Sequence, residues 1–195
     1  TNQPRKDLGL LFATLAELKA EGERIALWLH TDKLTAVWDV GELAYTCGLG
    51  RAEVAVSIEE LTDRQLAARY HWADCTIAPG LGEGFGYPIV ESLACGTPVI
   101  HGRYGGGVEL IPHPGWLIDP WAWRLESVYA LLRPVFKPGE VARVVREVAE
   151  RHRQDPPRMQ AYCVGAVAHL SWQHLWPRWR SWIAQGLNAL QERQD

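Results

Sequence analysis

Residues 83–91 read Glu83-Gly84-Phe85-Gly86-Tyr87-Pro88-Ile89-Val90-Glu91. Gly84 and Gly86 permit a tight loop. Pro88 suits the first turn of a helix, where its missing N–H would be unpaired anyway. Further on, Gly96 in Ala94-Cys95-Gly96-Thr97-Pro98 suits a left-handed helix stop. The loop ahead of Pro88 therefore presents backbone N–H groups and a positive helix end, an arrangement that holds phosphate-like anions. Glu83 belongs to the loop and Glu91 lies roughly one turn into the helix. Two carboxylates beside an anion seat suit a ligand with hydroxyls as well as phosphates, and a nucleotide sugar has both.

Working outward, Cys75-Thr76-Ile77-Ala78 before the loop and Val99-Ile100-His101 after the helix read as strands. Upstream, Leu8, Leu11, Phe12, Leu15 and Leu18 fall at helical spacing, so residues 7–21 are predicted as an amphipathic helix. Arg24–His30 is a short apolar run with the signature of a buried strand. A weaker helix follows over 38–47, then a strand over 53–57. Thr62 and Gln65 form a capping box that opens the next helix, with Leu61 and Leu66 placed as a hydrophobic staple. Downstream, Gly105-Gly106-Gly107 precedes a short helical turn, and Trp116–Asp119 is a last strand. Beyond residue 120 only helices are expected: one opened by Pro138 with Val141, Val144, Val145 and Val148 on its face, a break at Asp155-Pro156-Pro157, and a closing helix from Ser171. Pro177 should kink that last helix. Strand and helix alternation argues for an α/β fold with a Rossmann-like, doubly wound parallel sheet and extra C-terminal helices. Ligands of such sheets bind outside the carboxyl ends of the strands, where the loop after Ala78 lies.

Composition narrows the function. The 195 residues contain 47% hydrophobic and 22% charged residues, as in a soluble globular protein. A net charge of −3 gives no support for nucleic-acid binding. Cys47, Cys75, Cys95 and Cys163 are scattered without CxxC spacing and read as reduced thiols of a cytoplasmic protein. No ligand-spaced histidines suggest a metal, and no apolar run approaches the ~20 residues of a membrane span. The chain starts without an initiator Met and enters a helix directly, so the expectation is a fragment cut within or just after a first strand.

The string EGFGYPIVESLACGTPVI resembles the donor-site motif of retaining glycosyltransferases with the GT-B fold, group 1 (family four). The matching residues are Glu83, Phe85-Gly86, Glu91 and Ala94–Val99. Arg5-Lys6-Asp7 resembles the family's basic element after the first strand, with Asp7 in place of the commoner Gly. Gly106–Ile111 resembles its "GG-x-x-E" turn, Gly115–Pro120 its "NGLLVDP" strand, and Ser171-Trp172 the opening of its closing helix. The family's Gly-Arg at the end of the first strand has no counterpart.

The resemblance implies a C-terminal nucleotide-sugar-binding domain over 1–195, one half of a GT-B fold. The first strand and N-terminal acceptor domain would be absent, and 171–195 would cross to that domain. Lys6 and Arg5 would bind the diphosphate, with Lys6 and Glu83 the catalytic candidates. Backbone amides of Gly84, Phe85, Gly86 and Tyr87 would add to the anion site. Glu91 would accept from ribose hydroxyls, Glu83 would touch the donor sugar, and Val56 and Ser57 would hold the base. Implied too are hexose transfer from a nucleoside diphosphate sugar to a glycan, lipid or other acceptor, and no metal or cofactor beyond that donor. The fragment alone would be inactive. A cytoplasmic location, peripheral to the inner membrane face, would fit.

The alternative is a non-catalytic nucleotide-sugar-binding or scaffold domain of the same fold. A phosphorylase reading fares worse, because no lysine for a pyridoxal cofactor lies between Val56 and Asp119. Trp172, Trp176 and Trp179, with Arg178 and Arg180 beside them, read as a packing stripe in preference to an interfacial membrane helix. Left uncovered, that stripe would drive self-association.

Overall fold

The structure is a computed structural model and describes residues 1–78, 80–126 and 130–191. The first helix, α1 (Leu8–Ala20), is capped by Asp7, whose side chain accepts from the Leu10 N–H. It buries Leu8, Leu10, Leu11, Phe12, Leu15 and Leu18. A parallel pair follows: β1 (Leu27–His30) and β2 (Val54–Ser57), with α2 (Val40–Thr46) between them in sequence. Next, α3 (Asp63–Trp72) opens with the complete Thr62/Gln65 capping box. Strand β3 (Thr76–Ala78) leads through the glycine loop into α4 (Tyr87–Ala94). Then come β4 (Val99–Gly102), α5 (Gly107–Leu110) and β5 (Leu117–Ile118). Strands β3, β4 and β5 form a parallel sheet in that order, and β4 is buried along its whole length.

Two expectations are corrected. The parallel strands do not form one continuous ladder: β1–β2 and β3–β4–β5 are separate, and β1 and β3 each pair on one side only among the described residues. The chain beyond residue 120 is also not all helix. An antiparallel hairpin, β6 (Ala122–Glu126) and β7 (Leu131–Val135), precedes the helices. Trp123 and Leu125 alternate with Arg124 and Glu126 there, the period of a strand with unlike faces.

The helices that follow are α6 (Pro138–Gln154), α7 (Pro156–Val167) and α8 (Trp172–Gln191), Asp155 capping α7. Residues 192–195 of the expected closing segment lie outside the described residues. Two apolar clusters form the interior. One gathers Ile89, Leu93, Val99, Ile100, Trp116 and Phe136, the other Phe12, Leu15, Leu18, Leu29 and Val40. Helix α6 ties them together, placing Val141, Val144 and Val148 in the first and Ala142 in the second. By contrast, α8 leaves Trp172, Trp176, Trp179, Trp182 and Ile183 exposed.

Candidate functional site

The carboxyl ends of β3 and β4 open onto two glycine loops, and these loops touch. From β3 the chain runs through Gly80–Gly86 into α4; from β4 it runs through Gly105-Gly106 into α5. A methyl group added at Gly106 would collide with the Gly84 carbonyl oxygen. The Gly105–Gly107 turn is thus a packed support for the loop, which its flexible composition alone did not reveal. Gly86 adopts φ 83°, and an added Cβ there would stand 2.9 Å from Ile89 Cδ1, so both backbone and space call for glycine.

The bend ahead of Pro88 is open to solvent at Gly84, Phe85 and Tyr87. Phe85 and Tyr87 pack edge to face, ring centroids 5.3 Å apart. Among the described residues, no backbone hydrogen bond uses the N–H of Gly84, Phe85, Gly86 or Tyr87. At the start of a helix that leaves a cluster of donors with positive character.

Arg5 and Lys6 arrive at this loop from far away in sequence. A turn of 3-10 helix over Pro4–Lys6 and the left-handed Asp7 (φ 44°) set their direction. Left-handed backbone explains why glycine suits position 7, and the Asp7 cap on Leu10 offsets the strain here. Burial raises the Asp7 carboxyl, opposed by that backbone bond and by Arg124. Arg5 Nη1 donates to Glu83 Oε1 at 3.0 Å and to the Gly82 carbonyl at 3.1 Å. Lys6 Nζ pairs with the same Glu83 oxygen. The Arg5 carbonyl accepts the Leu81 N–H at 2.5 Å, so main chain as well as side chains locks the two segments together. Two cations share one carboxylate whose side chain is only 15% exposed.

Glu91 stands on α4 and accepts a hydrogen bond from Tyr70 Oη at 3.0 Å. Burial, followed by the neighbouring Glu91 charge, holds the Tyr70 phenol well above its usual range, so it stays a donor. Tyr70 was not singled out from the sequence; its place in the last turn of α3 carries no signal until α3 meets α4. Val56 and Ser57 end β2. The Ser57 hydroxyl lies 2.9 Å from His30 Nδ1 and the Ser57 carbonyl accepts the Thr31 N–H, so both oxygens are engaged, while Val56 is exposed.

Behind the loop, His101 is fully buried. Its Nδ1–H donates to the Ala78 carbonyl at 2.6 Å, pinning the end of β3, and Nε2 has no partner among the described residues. Burial lowers the His101 pKa, against the Ala78 bond and the Glu83 charge, which raise it, so the ring is held neutral. An added Cβ at Gly107 would collide with that ring. Burial pushes the thiols of Cys75 and Cys163 up to about 12, and neither is a nucleophile at neutral pH. No group of three His, Cys, Asp or Glu side chains able to hold a metal occurs among the described residues.

Residues 2–132 match the family described as "Glycosyl transferases group 1". The chain belongs to the group 1 glycosyl transferases. Among curated relatives, it is 31% identical over 134 residues to a D-inositol 3-phosphate glycosyltransferase of Pseudarthrobacter chlorophenolicus, covering 65% of this chain and 28% of that protein. Against the enzyme of the same name from Xylanimonas cellulosilytica, identity is 32% over 152 residues, covering 75% and 36%. Anabaena HepE, solved in complex with UDP-glucose, superposes with a TM-score of 0.63 at 20% identity, over 96% of this chain and 46% of that one. Sucrose-phosphate synthase from Thermosynechococcus elongatus gives 0.69 at 21% identity, over 96% and 44%. The fold is therefore the Rossmann-like half of a GT-B glycosyltransferase. This group 1 chain spans under half the length of the proteins it matches.

Proposed function

We propose that the chain is the donor-binding domain of a retaining, metal-independent glycosyltransferase. It would take a hexose from a nucleoside diphosphate sugar and pass it to a glycan, lipid or other acceptor. The observation that carries this reading is the meeting of Arg5 and Lys6 with Glu83 beside the unpartnered amides ahead of Pro88. An incoming diphosphate competes with Glu83 for both cations. As it takes them, the Glu83 carboxylate is released to accept from hydroxyls of the donor sugar. During transfer, negative charge grows on the leaving diphosphate, and Lys6, Arg5 and the Gly84–Tyr87 amides stabilise it without a metal. Glu91, held by Tyr70, accepts from the ribose hydroxyls. The strand ends at Val56 and Ser57 would flank the base. UDP-glucose, the molecule bound to HepE, is the first donor to try.

The split between β1 and β3 suits an additional parallel strand between them, and the exposed α8 stripe suits an acceptor domain that the helix would cross to reach. Both fit a longer polypeptide, for which we propose a cytoplasmic location peripheral to the inner membrane face, as the family resemblance implies. No helix among the described residues is long and apolar enough to cross a membrane.

Calorimetry with UDP, GDP and ADP on the full-length protein tests the site. Glu91→Ala and Lys6→Ala should each weaken the tightest binder by about 1–3 kcal/mol, the range for a lost charge-assisted hydrogen bond. Unchanged affinity in both variants refutes the assignment. Glu83→Ala should chiefly lower turnover, and normal turnover would remove Glu83 from the mechanism; no turnover in the parent protein with any donor would favour a non-catalytic binding domain.

A further inference from the structure

The hairpin β6–β7 reaches the glycine loop through one side chain. Arg133 Nη1 donates to the Leu81 carbonyl at 3.0 Å, and Nε donates to Glu126 Oε2 at 2.8 Å across the hairpin. Its side chain is only 16% exposed, so this charge is committed to a fixed geometry and is not a solvated surface arginine. An added Cβ at Gly82 would collide with Arg133 Nη1, which shows how closely the guanidinium lies along the loop. Leu81 and Gly82 are thus shared between two arginines. Arg5 takes the Leu81 N–H on its carbonyl and donates to the Gly82 carbonyl, while Arg133 donates to the Leu81 carbonyl. The next residue is Glu83. Arg133 also lies past the family match, which ends at residue 132.

We propose that Arg133 is a positioning residue of the donor site: anchored by Glu126, it holds Leu81 and Gly82 so that the amides of Gly84–Tyr87 stand ready for a diphosphate. This rests on the donor-site reading above. A side chain at Gly82 would have to displace the end of Arg133. The hairpin then serves as a strap over the loop, and its Arg133–Glu126 pair is the buckle. Losing the guanidinium frees the Leu81 carbonyl, lets the loop sample other conformations, and taxes every donor that needs the loop in place.

Two readouts on the full-length protein separate the possibilities. Arg133→Met keeps the packing of the stem and removes both hydrogen bonds. Amide exchange followed by mass spectrometry should quicken at least about tenfold at Leu81, whose N–H bonds the Arg5 carbonyl, with α6 unchanged. The affinity of whichever of UDP, GDP and ADP binds tightest should fall about tenfold, and Arg133→Lys, which keeps one donor, should recover part of it. Gly82→Ala should be as harmful as Arg133→Met in the parent protein and nearly silent when Arg133 is also alanine. Arg133→Gln makes the same comparison if the methionine variant does not fold.

Unchanged exchange at the Leu81 amide overturns the proposal. So does faster exchange with unchanged nucleotide affinity in a protein where Glu91→Ala still weakens binding. If no nucleoside diphosphate binds the parent protein, the donor-site reading fails first and the donor role of Arg133 goes with it.

Discussion

In the proposed donor site Glu83 would carry more than its single charge suggests, because it occupies two cations that a diphosphate would need. Glu83→Gln should therefore tighten nucleoside diphosphate binding, by roughly 1 kcal/mol for a partly exposed ion pair, while slowing transfer. Calorimetry and turnover measured on the same variant check the opposite signs, and weaker binding would contradict the competition between carboxylate and phosphate. His101 gives a pH signature. Its folded pKa lies below the unfolded value, so the unfolded chain binds the extra proton first. The stability it confers is present above an ordinary histidine pKa and is lost as the pH falls from about 6.5. Denaturant midpoints between pH 7 and 5 should decline, and His101→Gln should flatten the decline. Glu83, Glu91, Arg5 and Lys6 are candidates in the sequence because they fall on the family's motif, and the structure brings Arg5 and Lys6 onto Glu83. Tyr70, His101 and Arg133 are not legible there, since each acts through a partner that only tertiary packing supplies: Glu91, the Ala78 carbonyl and the Leu81 carbonyl.

Helix boundaries were legible wherever a cap is written locally. Thr62 with Gln65 and Pro88 after Gly86 mark helix starts, whereas Asp155-Pro156-Pro157, read as a break, opens α7. Thr62→Ala should destabilise the fold by about 1 kcal/mol, the usual worth of such a cap, and leave nucleotide affinity unchanged. A thermal melt and a titration check both halves of that statement. The hairpin escaped because Leu131-Leu132-Arg133-Pro134-Val135 is a short apolar run followed by a helix, and periodicity does not separate strand from helix over so few residues. Arg124 stands opposite Arg133 in the ladder, yet the pairing is tolerated because Arg133 turns to Glu126 and the Arg124 charge lies near Asp7. A sequence reading that stops at composition cannot see such compensation.

For the whole molecule, the α/β class followed from strand–helix alternation, and the candidate site lies where that reading put it, at the carboxyl ends of β3 and β4. The interruption between β1 and β3 did not follow, because alternation orders elements along the chain but not across a sheet. The tryptophans of α8 are the other large-scale feature. With Trp172, Trp176, Trp179 and Trp182 exposed on one helix, these 195 residues by themselves should associate as concentration rises. Replacing the four by glutamine should leave them monomeric in sedimentation velocity at the same concentration; association that persists would place the contact elsewhere. The central claim concerns the bend before Pro88. A crystal structure of the full-length protein with its tightest nucleoside diphosphate should show phosphate oxygens within hydrogen-bonding distance of the Gly84–Tyr87 amides and of Lys6, with ribose hydroxyls on Glu91. A nucleotide bound elsewhere, with Glu83 still clasping both cations, would contradict it.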